Sequence, residues 1–173
     1  EDGEESGEHG FLQDADLIGM GRPKVHGGRD TPAELGDDHE RRHLTGLRRD
    51  HEVVVIGRPD YTVAGLTAAD EHTLRAIERR APVIFQAAMF DGRFAGFADF
   101  LLLEDGPDGA PRYRLRDTKL ARSVKVEALL QMAAYAETLA RAGVPVSPEV
   151  DLVLGDGTAV SYPLDEILPV YRP

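Results

Sequence analysis

The sequence predicts an α/β domain with a central mixed β-sheet flanked by helices. Three observations lead to this prediction: capped helical segments, short apolar runs between them, and Asp-Gly or Gly-rich turns that divide the later runs into hairpins. The chain has 173 residues, of which 42% are hydrophobic, and this is enough for one core. We expect one structured domain over residues 31–173, after an acidic, glycine-rich and poorly structured segment over residues 1–30.

The first half of the domain predicts two helices and a strand. Thr31-Pro32-Ala33-Glu34 is a capping box with proline at the first helical position, so a helix is expected to about residue 50. Four apolar residues at 53–56, bounded by glycine and proline, predict a buried strand. A second capping pattern at residues 67–70 predicts a helix that ends near Arg80.

The second half predicts hairpins around a long helix. Strands are expected over residues 83–89, 93–103 and 113–120, the last of which should pair with its predecessor through the turn-rich residues 104–109. Ser123 is expected to cap a helix that runs to Ala142 and ends at a glycine and a proline. The final elements expected are a hairpin at residues 150–162 and a closing segment, 163–173, that docks on the sheet.

Residues able to do chemistry are concentrated in three motifs, Gly96-Phe97-Ala98-Asp99, Asp117-Thr118-Lys119 and Gln131-Met132-Ala133-Ala134-Tyr135. Because successive side chains on a strand point to opposite faces, Asp117 and Lys119 share one face and Thr118 turns away. If the predicted hairpin forms, the carboxylates of Asp99 and Asp117 converge beside Lys119. Two carboxylates bind a hard divalent cation, and a neighbouring ammonium can orient a water or a phosphate oxygen.

The ordered set G-x-x-D, D-x-K and Q-x-x-x-Y resembles the PD-(D/E)xK nuclease superfamily, and more closely its RecB-like branch. The resemblance covers residues 83–173 and extends weakly back to residues 36–40. It implies a restriction-endonuclease-like core, Mg²⁺ or Mn²⁺ as cofactor, and exonuclease-like hydrolysis of DNA in repair or processing. Because such domains are often fused to a helicase-like region, the implied partners are DNA and a helicase-like region or protein.

The resemblance also implies a role for each matching residue. The implied metal ligands are His39, Asp99, Asp117 and Thr118, the last through its carbonyl oxygen. The implied catalytic residues are Asp99, Asp117, Lys119, Gln131 and Tyr135. Lys119 would act on the attacking water, Gln131 would contact phosphate or orient Lys119, and Tyr135 would stack on a base or fix a carboxylate. Glu40 would be a supporting acid and Gln86 would line the site, whereas His43 should have no such role.

The net charge of −11 argues against a protein whose whole surface binds nucleic acid, since cationic side chains supply most non-specific affinity. Five of these negative charges lie in the first eight residues. A basic strip beside the site is possible over residues 112–125, which hold six basic residues and a single acid, Asp117. A solvated, arginine-rich strand edge explains Arg112 and Arg114 equally well.

Composition excludes several other classes of protein. The sequence has no cysteine, so it can form no disulfide, thiolate zinc site or cysteine-held iron–sulfur cluster. No apolar run approaches the roughly 20 residues that span a bilayer, and a cytoplasmic location is expected. Two alternatives remain open: a non-catalytic nucleic-acid-binding or helicase-accessory module with the nuclease fold, and an interaction domain in which Asp117 and Lys119 form a plain ion pair.

Overall fold

The computed structural model describes residues 32–121 and 123–172, and these form four helices and six strands. The bounds are α1 Pro32–Asp50, β1 Val53–Val55, α2 Val63–Glu78, β2 Val83–Phe90, β3 Ala95–Asp105, β4 Pro111–Thr118, α3 Val126–Arg141, β5 Glu149–Val153, β6 Ala159–Pro163 and α4 Leu164–Tyr171. One sheet contains all six strands in chain order. The pairs β1–β2 and β4–β5 are parallel and the others are antiparallel, so the predicted α/β class with a mixed, helix-flanked sheet is confirmed.

Helices cover both faces of the sheet. On one face, Leu44 of α1 packs with Val83 and Phe100 in a small apolar cluster. On the other, α2, α3 and α4 enclose the main core, in which Leu101 and Leu115 are fully buried. The strand around residues 100–103, which is apolar at each of these positions, is therefore covered on both faces, and β3 and β4 lie between two helical layers.

Several element boundaries differ from the prediction because a nearby alternative cap is used. Helix α2 is capped by Thr62, whose hydroxyl accepts a 3.1 Å hydrogen bond from Gly65 N, and not by Thr67. Lys125 occupies the N-cap position of α3 without a side-chain cap bond, so the predicted cap at Ser123 is wrong. The cap expected from Thr31 and the segment 1–30 lie outside the described residues.

The last residues form a helix where only a docking segment was expected. Leu164 and Ile167 of α4 are buried against the main core, whereas Val170, which was expected to dock on the sheet, is 65% exposed. Packing of one apolar face is sufficient to hold this eight-residue helix despite Pro169 within it. No helix in the described part of the chain is long and apolar enough to cross a membrane.

Side chains of α2 replace the missing part of the edge strand. β1 pairs with β2 only as far as Phe85, and beyond this point the free edge of β2 would expose its amides. The Thr73 hydroxyl accepts a 3.0 Å hydrogen bond from Ala88 N, and Asp70 Oδ1 accepts one of the same length from Phe90 N. The second half of β2 is thus held by α2, and its first half is held by β1.

Candidate active site

Asp99 and Asp117 lie opposite each other where the β3–β4 ladder stops. The last paired residues are Phe100 and Arg116, and the same register one step further places the two aspartates face to face. Asp99 Oδ2 accepts hydrogen bonds from Thr118 N at 2.8 Å and from Thr118 Oγ1 at 2.7 Å. The structure therefore brings the two carboxylates together. It also turns the Thr118 hydroxyl towards Asp99, contrary to the expectation from strand alternation. At this residue the pairing of β4 with β3 has ended, although its pairing with β5 continues.

Asp117 is a buried carboxyl group with too little compensation for its charge. Only 2% of the residue is exposed. The Lys119 ammonium contacts Asp117 Oδ2 as an ion pair, but that oxygen has no well-formed hydrogen bond from the described residues. Burial raises the pKa of the Asp117 carboxyl well above its usual range, the charge of Asp99 raises it further, and Lys119 only partly opposes this. A second positive charge at this position would be stabilising.

Lys119 is the cation of the cluster and follows directly after the last residue of β4. Its backbone N donates a 2.8 Å hydrogen bond to Val153 O, which extends the contact with β5 by one residue. Burial on its own would lower the pKa of the Lys119 ammonium, but the charges of Asp117, Asp99 and Glu40 raise it above its ordinary value. The side chain is 34% exposed and so is accessible from solvent on the side away from Asp117.

Tyr135 and Gln131 of α3 form one unit beneath the carboxylates. The ring of Tyr135 lies so close to the backbone at Gly96 that a Cβ there would clash with ring carbon Cε1. Gln131 Nε2 donates a hydrogen bond to Tyr135 Oη. Burial and the charge of Asp117 raise the pKa of the Tyr135 hydroxyl, which keeps it protonated. Because Tyr135 is 1% exposed it cannot stack on a base, and its hydroxyl is hydrogen-bonded to Gln131, so a role in fixing a carboxylate stays a prediction.

Helix α1 brings His39 and Glu40 to the edge of this cluster. His39 is 7% exposed, and its Nε2 lies 3.3 Å from Val153 O. Glu40 Oε1 accepts a hydrogen bond from Gln86 Nε2 of β2. Within the described ranges, no three His, Asp or Glu side chains are grouped closely enough to hold a metal ion together. The structure thus gathers Asp99, Asp117 and Lys119, and leaves His39 against a backbone carbonyl.

The two carboxylates fit Mg²⁺ or Mn²⁺ even without a third side chain. Mg²⁺ retains several waters and is usually held by one or two carboxylates, and both ions prefer oxygen ligands. Asp117 offers an oxygen that lacks a well-formed hydrogen bond from the described residues, and Asp99 supplies a second negative charge opposite it. A divalent cation would offset both the burial and the repulsion from Asp99 that raise the pKa of Asp117.

The arginines of β4 do not form the basic strip that the sequence suggested. Their side chains lie on the face of β4 opposite to Asp117 and pair with acids. Arg112 Nε lies 3.0 Å from Glu104 Oε1, and Arg116 Nη2 lies 2.8 Å from Asp151 Oδ2. Arg114 contacts both of these acids and also Glu149. Asp151 and Glu149 come from β5, so a scan of the local sequence could not find this neutralisation.

A groove of about 310 Å³ opens beside the cluster, between the loop after β4 and the start of α3. Lys119 and Gln131 line it on the side of the carboxylates, and Ser123 and Lys125 line it further out. Its lining is mostly apolar, and two lysines stand beside one acid, Glu127, so the groove gives access to Lys119 from solvent without a strong preference for an anion. The sequence indicated Ser123 only as a helix cap and Lys125 only as a strip residue, because a groove depends on how the loop folds over the helix.

Comparison with known proteins adds nothing to the motif resemblance. No protein-family model matches the chain, and no curated protein matches its sequence.

Proposed function

We propose that this chain is a divalent-metal-dependent deoxyribonuclease with a RecB-like PD-(D/E)xK core. The observation that supports this most strongly is the pair of opposed carboxylates, Asp99 and Asp117, with the Lys119 ammonium against the buried member. The order of the three motifs along the chain and the mixed sheet that carries them agree with the same proposal. DNA would be the substrate, exonuclease-like processing in repair the setting, and a helicase-like region or protein the partner.

In this proposal Asp99 and Asp117 hold Mg²⁺ or Mn²⁺, assisted by the Thr118 carbonyl and by His39. The bound ion supplies Lewis-acid polarisation of the phosphoryl group and a more acidic water. Lys119, on the solvent side of Asp117, donates hydrogen bonds to the attacking water or to a phosphate oxygen. Tyr135 keeps the floor of the site in place, since its ring contacts the Gly96 backbone and its hydroxyl accepts from Gln131.

The test is incubation of the purified chain with labelled linear and circular DNA in Mg²⁺, Mn²⁺ or EDTA. We expect cleavage with either ion and none in EDTA, and cleavage of linear DNA alone would identify an exonuclease. Asp117→Asn should abolish cleavage. Asp105→Asn is the matched control, because Asp105 is an exposed acid at the far end of β3.

Two outcomes would overturn the proposal. Cleavage that persists in EDTA or in the Asp117→Asn variant would mean that the carboxylates are not the catalytic site. DNA binding without any cleavage by the unaltered chain would favour a non-catalytic nucleic-acid-binding module.

A further inference from the structure

Gln86 has a backbone conformation that a residue in mid-strand rarely adopts. Its φ is 56°, and among the described non-glycine residues only Arg80, in the turn after α2, shares a positive φ. The left-handed region is unfavourable for side chains larger than glycine, and such outliers persist where surrounding contacts over-determine them. The ladder between β2 and β3 is continuous on either side of Gln86 but omits the residue itself, which the register places opposite Asp99.

The unusual conformation changes the direction of the Gln86 side chain. In a regular strand Gln86 would share a face with Ile84, which lies in the main core beneath α3. Phe85, on the alternate face, packs with the cluster beneath α1. Gln86 nevertheless donates its amide hydrogen bond to Glu40 of α1. The left-handed backbone therefore directs a polar side chain away from the main core and towards the helix on the other face.

The contact joins α1 to the sheet at the level of the carboxylates. Glu40 follows His39, whose ring lies against the Val153 carbonyl beside the end of β4. That carbonyl also accepts the hydrogen bond from Lys119 N. Gln86 of β2 thus holds Glu40, and Val153 of β5 holds His39. These consecutive α1 residues are fixed on either side of β3 and β4, which carry Asp99 and Asp117.

We propose that Gln86 is a positioning residue of this site, held out of the β-ladder so that its amide fixes Glu40, and with it helix α1, beside Asp99 and Lys119. This inference rests on the proposed nuclease function. If the proposal is correct, the strained backbone of Gln86 supports activity and lowers the stability of the fold, as strained residues at functional sites commonly do.

The test compares Gln86→Gly with Arg80→Gly, since both substitutions relieve a positive φ but only the first removes a side chain from the site. Arg80→Gly should raise the unfolding midpoint by about 2–4 °C and leave kcat unchanged. Gln86→Gly should leave the midpoint unchanged or raised, yet lower kcat by roughly 10- to 100-fold, because small misplacements of catalytic groups are costly. A stabilised but impaired enzyme is not expected if Gln86 has only a structural role.

Two further variants show whether the effect passes through Glu40. Gln86→Asn retains an amide and tolerates positive φ, so it should recover part of kcat. Gln86→Gly combined with Glu40→Ala should lower kcat no more than the worse single variant, because Glu40→Ala removes the acceptor of the Gln86 amide and both changes then break the same contact. Additive losses, or wild-type kcat in Gln86→Gly, would overturn the positioning role.

These outcomes are separable from failure of the proposed function. If the unaltered chain cleaves no DNA, the nuclease proposal fails and the catalytic purpose of Gln86 fails with it. If the unaltered chain cleaves DNA and Gln86→Gly cleaves it equally well, only the role of Gln86 is lost.

Discussion

The two faces of β4 carry two charge clusters that differ in how completely they are neutralised. On one face Arg114 and Arg116 surround Asp151, which also accepts a 2.8 Å hydrogen bond from Ser161. On the other face Asp117 and Asp99 share the single ammonium of Lys119. Burial would raise the pKa of both buried aspartates, yet hydrogen bonds and arginine charges bring that of Asp151 below its ordinary value, whereas that of Asp117 stays raised.

The difference separates a structural cluster from a candidate functional one. A buried charge that is paired and hydrogen-bonded is stable without a bound ligand. Removing one of its partners is destabilising. A buried carboxylate opposite a second carboxylate remains unfavourable until a cation arrives. Neighbouring residues of the same strand can therefore serve stability and ligand binding separately, because alternate side chains of a strand meet different elements.

The largest expected effect comes from exchanging the two buried aspartates for asparagine. Asp117→Asn should abolish DNA cleavage and leave the metal-free protein equally or more stable, since it removes repulsion with Asp99. Asp151→Asn should leave the folded protein active but lower the free energy of unfolding by about 3 kcal/mol, because Arg116 loses its acidic partner and Arg114 loses one of its three. Cleavage assays and urea unfolding in EDTA measure both. If the two variants behave alike in either measurement, the distinction between the clusters is wrong.

Lys119→Met should lower kcat by roughly 10³-fold while the chain still binds Mn²⁺ by titration calorimetry. The ammonium is expected to act on water or phosphate and is not a ligand, so its loss exposes Asp117 to the ion and does not remove the site. Arg79→Met is the control, because Arg79 is an exposed cation after α2 that lines neither the carboxylate cluster nor its groove. Loss of Mn²⁺ binding together with activity would mean that Lys119 holds the site together.

His39→Ala should weaken Mn²⁺-supported cleavage by about tenfold and narrow the gap between the Mn²⁺ and Mg²⁺ rates. Imidazole suits Mn²⁺ better than Mg²⁺, which prefers oxygen ligands and water. Cleavage rates measured at saturating concentrations of each ion give the ratio of the Mn²⁺ rate to the Mg²⁺ rate. An unchanged ratio would leave His39 with only its contact to the Val153 carbonyl.

His43→Ala cannot serve as the control for His39→Ala, although the sequence suggested that His43 has no role in the site. The His43 ring packs edge-on against Phe100 with centroids 5.0 Å apart, and its buried Nε2 has no hydrogen-bond partner among the described residues. His43→Ala would leave a cavity beneath α1. His72, which is exposed on α2, is the better control.

The smallest expected effect is a pH dependence of stability that arises from Asp151 and its arginine partners. The pKa of Asp151 is lower in the folded than in the unfolded chain, so its contribution to stability is present at neutral pH and is lost as pH falls below about 4. The difference in urea midpoint between wild type and Asp151→Asn should therefore be full at pH 7 and smaller at pH 3. A difference that does not change with pH would mean that Asp151 stabilises by packing and not by its charge.

Local sequence patterns predicted most elements because each pattern acts within a few residues. The hairpin of β3 and β4 follows from two apolar runs and a turn, and strand alternation then places Asp117 on the face of Leu115. Boundaries were less predictable where two capping signals compete. Both Thr62 and Thr67 could cap α2, and burial of Leu66 requires the earlier start. The final helix contains Pro169, which is unfavourable inside a helix, and it depends on packing over the core.

The sequence by itself determined the α/β class, the hairpin, and the meeting of Asp99 with Asp117, since turn chemistry and two-residue alternation are properties of the local chain. Only the tertiary structure decided that the β4 arginines are neutralised, that Tyr135 lies buried on Gly96, and that Gln86 turns towards α1. Each of these depends on a partner from a distant element, such as Asp151 on β5 or Glu40 on α1. Which distant elements become neighbours is set by strand order and helix packing, and no local pattern encodes it.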